Sequence, residues 1–233
     1  MQGAPKNAIP NRLLASLPRR EYQRLLPYLE TVDLAYAEVL HEPRSRIRYV
    51  YFPNTCLVSL LGTVDGQRAA EVGLVGAEGM VGISAALGLP ESPFLTVVQG
   101  RGMAMRMTAT DLQREIGSAV ELQRSLFRFT HQLMTQIAQT AACNRFHVVT
   151  QRMARWLLTT RDRVHSGEFR ITQEFLARML GVRRVGVTEA AMSLQQRKLI
   201  AYNRGNMVIL DHRGLTAAAC SCYKVVKDIY LQS

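Results

Sequence analysis

The chain has 233 residues, of which 48% are hydrophobic and 20% charged, with 29 Lys and Arg against 18 Asp and Glu for a net charge of +11. That apolar content excludes a mainly disordered chain, and no run approaches the roughly eighteen consecutive apolar residues that a membrane span needs. Met1 to Asn7 hold one Lys with no apolar stretch behind it, so no secretory signal is expected and the location implied is the cytoplasm.

Residues 10–28 predict two short helices. Asn11 and Ser16 are the candidate caps, and Leu13, Leu14, Leu17, Tyr22, Leu25 and Leu26 form the apolar side. From about 30 to 108 short runs rich in Val, Leu, Tyr and Thr alternate with turn residues. Strands are expected at 48–52, at 56–61 and, after an Asp65-Gly66 hairpin turn, at 68–75, with two more at 94–99 and 102–107. Many short strands at this spacing predict an antiparallel β-roll, barrel or sandwich.

Residues 110–145 change to a long helical pattern, with Thr110 as candidate cap beside Glu115 and a break at Gly117-Ser118. Beyond the break Leu126, Thr130, Leu133, Ile137 and Ala141 recur at spacings of 4, 3, 4 and 4. This seam suits either coiled-coil dimerisation or packing on the helix's own domain. A second helix is expected from about Val148 to Val164, ended by Ser166-Gly167.

Residues 172–200 hold the most specific pattern. Thr172 can cap a short helix, and Gly181 stands where the chain must turn left-handed. Counting from Gln173, Ala177 falls fifth, Gly181 ninth and Val187 fifteenth, the spacing of a helix-turn-helix. A second helix follows from Arg184 to about Lys198. Two short strands, Leu199 to Tyr202 and Met207 to Leu210, then flank a turn with Arg204 at its tip, forming a wing.

Charge agrees with this placement. Residues 1–144 carry 14 basic and 12 acidic side chains, a net of +2, whereas residues 145–233 carry 15 and 6, a net of +9. A positive field confined to one module is the footprint of nucleic-acid binding. In a helix-turn-helix the second helix enters the major groove, so Arg183, Arg184, Thr188 and Glu189 are the candidate base-edge contacts. Thr172, Gln173, Arg197 and Arg204 are placed for phosphates.

The chemistry of other classes is thin. There is no P-loop, no G-x-S-x-G elbow and no H-E-x-x-H, so no enzyme is expected. The cysteines Cys56, Cys143, Cys220 and Cys222 show no C-x-x-C spacing, and the five histidines form no H-x-x-x-H pair, so neither a metal site nor an iron–sulfur cluster is expected. Cys220 and Cys222 read as structural thiols on a C-terminal helix or as a redox switch.

With these motifs the chain resembles the CRP/FNR superfamily of bacterial transcription regulators. The likeness rests on the Tyr51-Phe52-Pro53 strand, the Gly76-Ala77-Glu78-Gly79-Met80-Val81-Gly82 turn, the long helix and the winged helix-turn-helix. It implies an α+β chain with three parts: an N-terminal β-roll effector domain of the cyclic-nucleotide-binding type (1–117), a dimerisation helix (118–145) and a DNA-binding domain (146–233). It further implies a homodimer on a palindromic promoter site and RNA polymerase as a partner. The cyclic-AMP-binding members carry a Glu and an Arg-Ser pair after the glycine turn. Here Ile83 stands at the Glu position, and no Arg lies between Arg68 and Arg101. A buried phosphate would lack its counter-charge. A cyclic nucleotide held in the usual mode is therefore not expected, and the effector is unassigned.

The iron–sulfur branch needs N-terminal cysteines, and none precedes Cys56. For the haem branch His41 is the only nominee. Candidate effector contacts are Glu78, Gly79 and Ser84 in the turn, with Thr140 and Asn144 from the long helix. The glycines read equally well as roll turns, and the two polar residues as register-setting positions. A competing function is a ligand sensor that acts through protein contact, with DNA binding vestigial.

Overall fold

The computed structural model describes residues 10–65, 68–164 and 166–231. Met1 to Asn7, Gly66 of the expected hairpin turn, and His165 lie outside them. Asn11 opens the first helix, α1 (Arg12–Ala15), its Oδ1 accepting from the Leu14 N–H at 3.1 Å. The same buried side chain donates through Nδ2 to the carbonyls of Pro53 (2.8 Å) and Gly79 (2.9 Å). One Asn thus caps a helix and ties it to a strand end and to the glycine turn. Ser16 closes α1 instead of opening the next helix. Pro18, which has no donor to lose and a fixed φ, precedes α2 (Arg19–Leu25).

Seven strands follow: β1 (Glu30–Leu34), β2 (Val39–His41), β3 (Tyr49–Pro53), β4 (Leu57–Val64), β5 (Arg68–Val75), β6 (Leu95–Gly100) and β7 (Gly102–Thr108). β1, β7 and β3 form one antiparallel sheet in that order, and β2, β6, β4 and β5 form a second. β1 and β2 are not among the strands expected from the sequence; each buries only its last residue, Leu34 or His41, and neither holds a run of apolar residues. Val50, Phe52, Leu57, Val58 and Val98 on these strands are buried, and a short helix, α3 (Ile83–Ala86), follows the glycine turn.

Helix α4 (Ala109–Ile116) is capped by Thr108, not Thr110. Thr108 ends β7 in an extended conformation, and its Oγ1 accepts from the Asp111 N–H at 3.0 Å. The chain leaves the sheet there, two residues before the pattern suggested. Glu115 is buried and accepts from Arg24 at 2.9 Å. After the break at Gly117-Ser118, α5 runs without interruption from Val120 to Phe146.

The remainder is α6 (Val149–Val164), β8 (Glu168–Arg170), α7 (Gln173–Leu180), α8 (Arg184–Gln196), β9 (Ile200–Asn203), β10 (Asn206–Ile209), α9 (His212–Ala218) and α10 (Cys222–Leu231). β10 pairs antiparallel with both β9 and β8, which gives the wing a third strand that the sequence reading lacked. Among the described residues no helix is long and apolar enough to cross a membrane.

Contacts divide the chain into two units, residues 1–60 with 74–133 and residues 61–73 with 134–232. The outer end of β4 and β5 therefore groups with the C-terminal elements and not with the roll. Inside that second unit the Trp156 indole N–H donates to the Glu71 carboxylate at 3.0 Å. The division falls within α5, whereas the sequence suggested boundaries at 117 and 145.

Candidate functional site

Three helices and three strands build the helix-turn-helix. Thr172 Oγ1 accepts from the Phe175 N–H at 3.1 Å and starts α7, as the sequence predicts. Gly181 ends α7 at φ +60°, where an L side chain costs about 1–2 kcal/mol. A Cβ there would also stand 2.8 Å from the Ala70 Cβ. Leu176, Ala177, Val187, Ala190 and Leu194 are buried. The buried Arg152 of α6 donates to the Leu180 carbonyl, satisfying one of the orphan acceptors at the end of α7. The turn between the two helices is thus held from beneath.

That packing leaves one face of α8 in solvent. Arg183, Arg184 and Glu189 are exposed and Thr188 is half-buried. Val185 and Met192, 57% and 54% exposed, share this face. The sequence names neither among the candidate base contacts, although Val185 with Glu189 departs from the pattern of the best-known family members. Here Val187, Ala190, Ala191 and Leu194 take the core positions, and the helical period puts 185, 188, 189 and 192 outside. An apolar side chain on a groove-facing helix suits a thymine methyl.

Gln173 organises the face. Its Oε1 accepts from Arg184 Nε at 3.3 Å and from Thr188 Oγ1 at 3.1 Å. The expected phosphate contact is therefore also the side chain that orients two of the expected base contacts. At the wing tip Arg204 (φ +47°) and Gly205 (φ +85°) take the paired left-handed conformations of a two-residue hairpin turn, which leaves Arg204 exposed. Arg197, at the C-cap of α8, is exposed as well.

The long helix presents a different face from the one its sequence suggested. Leu126 and Leu133 are only 2% and 6% exposed within a single chain, so they belong to its own core. Phe127 and Met134 are 57% and 65% exposed. With Thr130 and Ile137, both half-buried, and exposed Ala141, they recur at spacings of 3, 4, 3 and 4. A shift of one residue rotates the face by about 100°, which moves the leucines inward and leaves three of the five expected seam residues in place.

Three of the five nominated effector residues, Glu78, Ser84 and Thr140, are buried. Glu78 is buried and its carboxylate accepts from the Gly76 N–H at 3.1 Å, within its own turn. A Cβ on Gly79 would fall 1.9 Å from the Phe129 ring, so this glycine is required by a side chain already packed against it. Ser84 is buried in α3, as is Thr140 in α5, while Asn144 is half-buried. Thr140 and Asn144 belong to the second unit and the other three to the first. A separate open groove of about 760 Å³ is lined by Arg46, Arg48, Tyr49, Thr108 and Gln113 among others, and by none of the nominees.

His41 is buried, with Nε2 2.9 Å from the Tyr49 carbonyl, so that nitrogen is engaged within the roll. Burial pulls its pKa below the ordinary histidine value. The unfolded chain then takes up this proton at a higher pH than the folded one. Its contribution to stability is full above the unfolded pKa and is lost as the pH falls from there through the lower folded pKa. Thermal unfolding should accordingly move to lower temperature between about pH 7.5 and 5.5, and His41→Gln, which keeps a donor but does not titrate, should flatten that slope. An equal slope in both proteins would contradict this account.

The cysteines separate into two kinds. Cys56 is alone in the roll and its thiol is pushed up to about 11 by burial, which makes it inert. Cys220 lies in the turn before α10 and Cys222 begins that helix. Cys143 Sγ is 3.5 Å from Cys220 Sγ, so the C-terminal pair is not the isolated oxidisable feature that its sequence position implied. Their mutual hydrogen bond lowers the Cys143 pKa and raises that of Cys220.

Residues 151–218 match the Crp-like helix-turn-helix domain. No curated protein sequence matches the chain. Among solved structures, FixK2 from Bradyrhizobium japonicum is similar at a TM-score of 0.70 with 14% identity, over 83% of this chain and 98% of that one. The c-di-GMP responsive global regulator CLP of Xanthomonas campestris gives 0.69 and 15%, over 83% and 100%. A transcriptional regulator of the CRP family from Thermus thermophilus, TTHB099, gives 0.68 and 18%, over 81% and 96%. The chain carries a Crp-like helix-turn-helix domain and has the fold of the CRP/FNR transcription regulators.

Proposed function

We propose that the protein is a dimeric, sequence-specific DNA-binding transcription regulator that recognises a palindromic promoter site. The observation that carries this reading is the solvent face of α8, where Arg183, Arg184, Val185, Thr188 and Glu189 stand together in the segment of net charge +9. Arg offers a bidentate match to guanine, Glu accepts from cytosine, and Val185 suits a thymine methyl. Arg197 and Arg204 supply phosphate contacts that set affinity and salt dependence. Two copies joined along α5 would carry two such helices, and a palindromic site requires them on successive major grooves, about 34 Å apart.

The roll acts as an effector or scaffold domain that does not hold cyclic AMP in the usual way. Ile83 is buried where the family places a carboxylate, and Phe129 occupies the space against Gly79. The reaction repertoire is that of a binding protein working in the cytoplasm, with RNA polymerase as the family's partner.

Selection of genomic DNA fragments by the purified full chain, with and without cyclic nucleotides, tests the reading. A palindrome enriched in the absence of any nucleotide is the expected result. Binding no tighter to any fragment than to random DNA at moderate salt would refute DNA recognition. Enrichment only with a nucleotide would refute the reading of Ile83.

A further inference from the structure

At the C-terminal end of α5, Cys143 and His147 stand one helical turn apart, and the His147 N–H donates to the Cys143 carbonyl at 3.1 Å. The spacing i, i+4 puts both side chains on one face. Cys220 lies in the turn between α9 and α10 and Cys222 opens α10, the turn being closed by the Tyr223 N–H on the Cys220 carbonyl at 3.0 Å. The four ligand atoms, three Sγ and one imidazole nitrogen, all lie within 4.8 Å of one another. All four residues belong to the same unit.

The distances within the cluster discriminate among the chemistries that three thiols and an imidazole permit. A tetrahedral ion with metal–sulfur bonds of about 2.3 Å and a metal–nitrogen bond of about 2.05 Å separates its sulfurs by about 3.8 Å and sulfur from nitrogen by about 3.6 Å. Here Cys143 Sγ and Cys220 Sγ are 3.5 Å apart, and Cys222 Sγ and His147 Nδ1 are 3.6 Å apart. An iron–sulfur cluster sets several irons between its protein ligands and so needs them more widely spread. A disulfide needs sulfurs at about 2.05 Å and leaves His147 and Cys222 without a role.

The surroundings fit a thiolate-bound cation. Cys143, Cys220 and Cys222 are 0%, 5% and 2% exposed, so water is largely kept from the sulfurs. Gln139, one turn before Cys143, donates through Nε2 to Cys222 Sγ at 2.9 Å, the kind of outer hydrogen bond that orients a metal ligand. Arg155 is buried, and its charge favours the ionised form of both Cys143 and Cys220. Three thiolates and one neutral imidazole on a divalent cation leave a net charge of −1, which a nearby guanidinium compensates.

We propose that Cys143, His147, Cys220 and Cys222 bind one zinc ion per chain in a closed tetrahedral Cys₃His site. Three sulfurs and an imidazole are the donor set of zinc, and four protein ligands mark a structural ion with no open position for catalysis. On binding, the thiol protons still present pass to solvent. The ion staples the last turn of α5, and the short link that follows it, to the α9–α10 turn. The site stands whether or not the chain binds DNA, and its test does not involve DNA.

Full-length protein purified in reductant should contain about one equivalent of zinc by elemental analysis. Titration of metal-free chain with Co²⁺ should give the visible d–d bands of a tetrahedral site, with thiolate charge-transfer absorption, saturating at one equivalent. Cys143→Ser should abolish both signals and Cys56→Ser should change neither. Gln139→Ala should weaken the affinity about 10–100-fold with the stoichiometry intact. The cobalt spectrum of the unaltered chain carries the test even if Cys143→Ser fails to fold. Folded protein that retains no metal after incubation with zinc would overturn the proposal. So would inorganic sulfide with iron, which means a cluster, or a Cys143–Cys220 disulfide in chain that takes up no cobalt.

Discussion

Replacing Phe127 and Met134 together by Glu should convert the protein from dimer to monomer and lower its affinity for the palindromic site by about 10²–10⁴-fold, the advantage of joining two binding modules. Both side chains stand more than half exposed on α5. Burying an apolar side chain of this size stabilises by about 1.5–3 kcal/mol, and a dimer buries each position twice. A carboxylate at either position faces its own copy across a two-fold seam, so the loss is compounded by like-charge repulsion. The chain itself should remain folded, because Glu is a good helix former and both sites are in solvent. Leu126→Ala provides the contrast. That residue is 2% exposed inside its own chain, so the expected result is a stability loss of about 2–5 kcal/mol with the dimer retained in whatever fraction stays folded. Sedimentation and thermal unfolding of the two variants distinguish the seams. A dimer that survives Phe127→Glu/Met134→Glu but is lost in folded Leu126→Ala would favour the seam suggested by the sequence.

Arg184→Ala should cost about 1–3 kcal/mol of discrimination at one base pair of each half-site while leaving binding to non-specific DNA almost unchanged. Its Nε donates to Gln173 Oε1, which leaves the terminal nitrogens of the guanidinium for a guanine edge. Gln173→Ala should therefore reproduce part of this loss, since the same oxygen also holds Thr188. Arg204→Ala, at the exposed wing tip, should instead weaken binding to all sequences alike and reduce the salt slope by about one. Competition titrations against a set of single-base-pair variants, at two salt concentrations, separate the two behaviours. Uniform weakening by Arg184→Ala would place that residue on a phosphate.

The DNA-binding motif was legible because everything that specifies it is local. Thr172 needs only the N–H three residues on, Gly181 only its own φ, and Ala177, Gly181 and Val187 only their spacing along two consecutive helices. The wing turn is equally local, since Arg204 and Gly205 adopt its dihedrals within four residues. Where two neighbouring positions compete, local pattern loses its resolution. Thr108 and Thr110 are both good caps, and only the end of β7 decides that the chain turns at the first. Leu126 and Phe127 are both apolar, and the choice between them is a rotation of α5 that depends on what the roll packs against it.

Other features carry no local pattern at all. β1 finds its place through the register Glu30–Arg106 to Leu34–Gly102 with β7, a partner some seventy residues away. The residues of the Cys₃His cluster lie in two groups, at 143–147 and 220–222, and neither group reads as a site. Residue spacing reports chemistry when one helix or turn supplies the ligands. Here the packing of α9 and α10 on α6 brings Cys220 and Cys222 to the end of α5 and joins the two halves. Sequence by itself determined the helix-turn-helix, its wing and the confinement of positive charge to the last 89 residues, since these depend on dihedrals, caps and composition. Tertiary structure alone decided which face of the long helix is free and which cysteines meet, because both are set by burial among residues far apart in the chain.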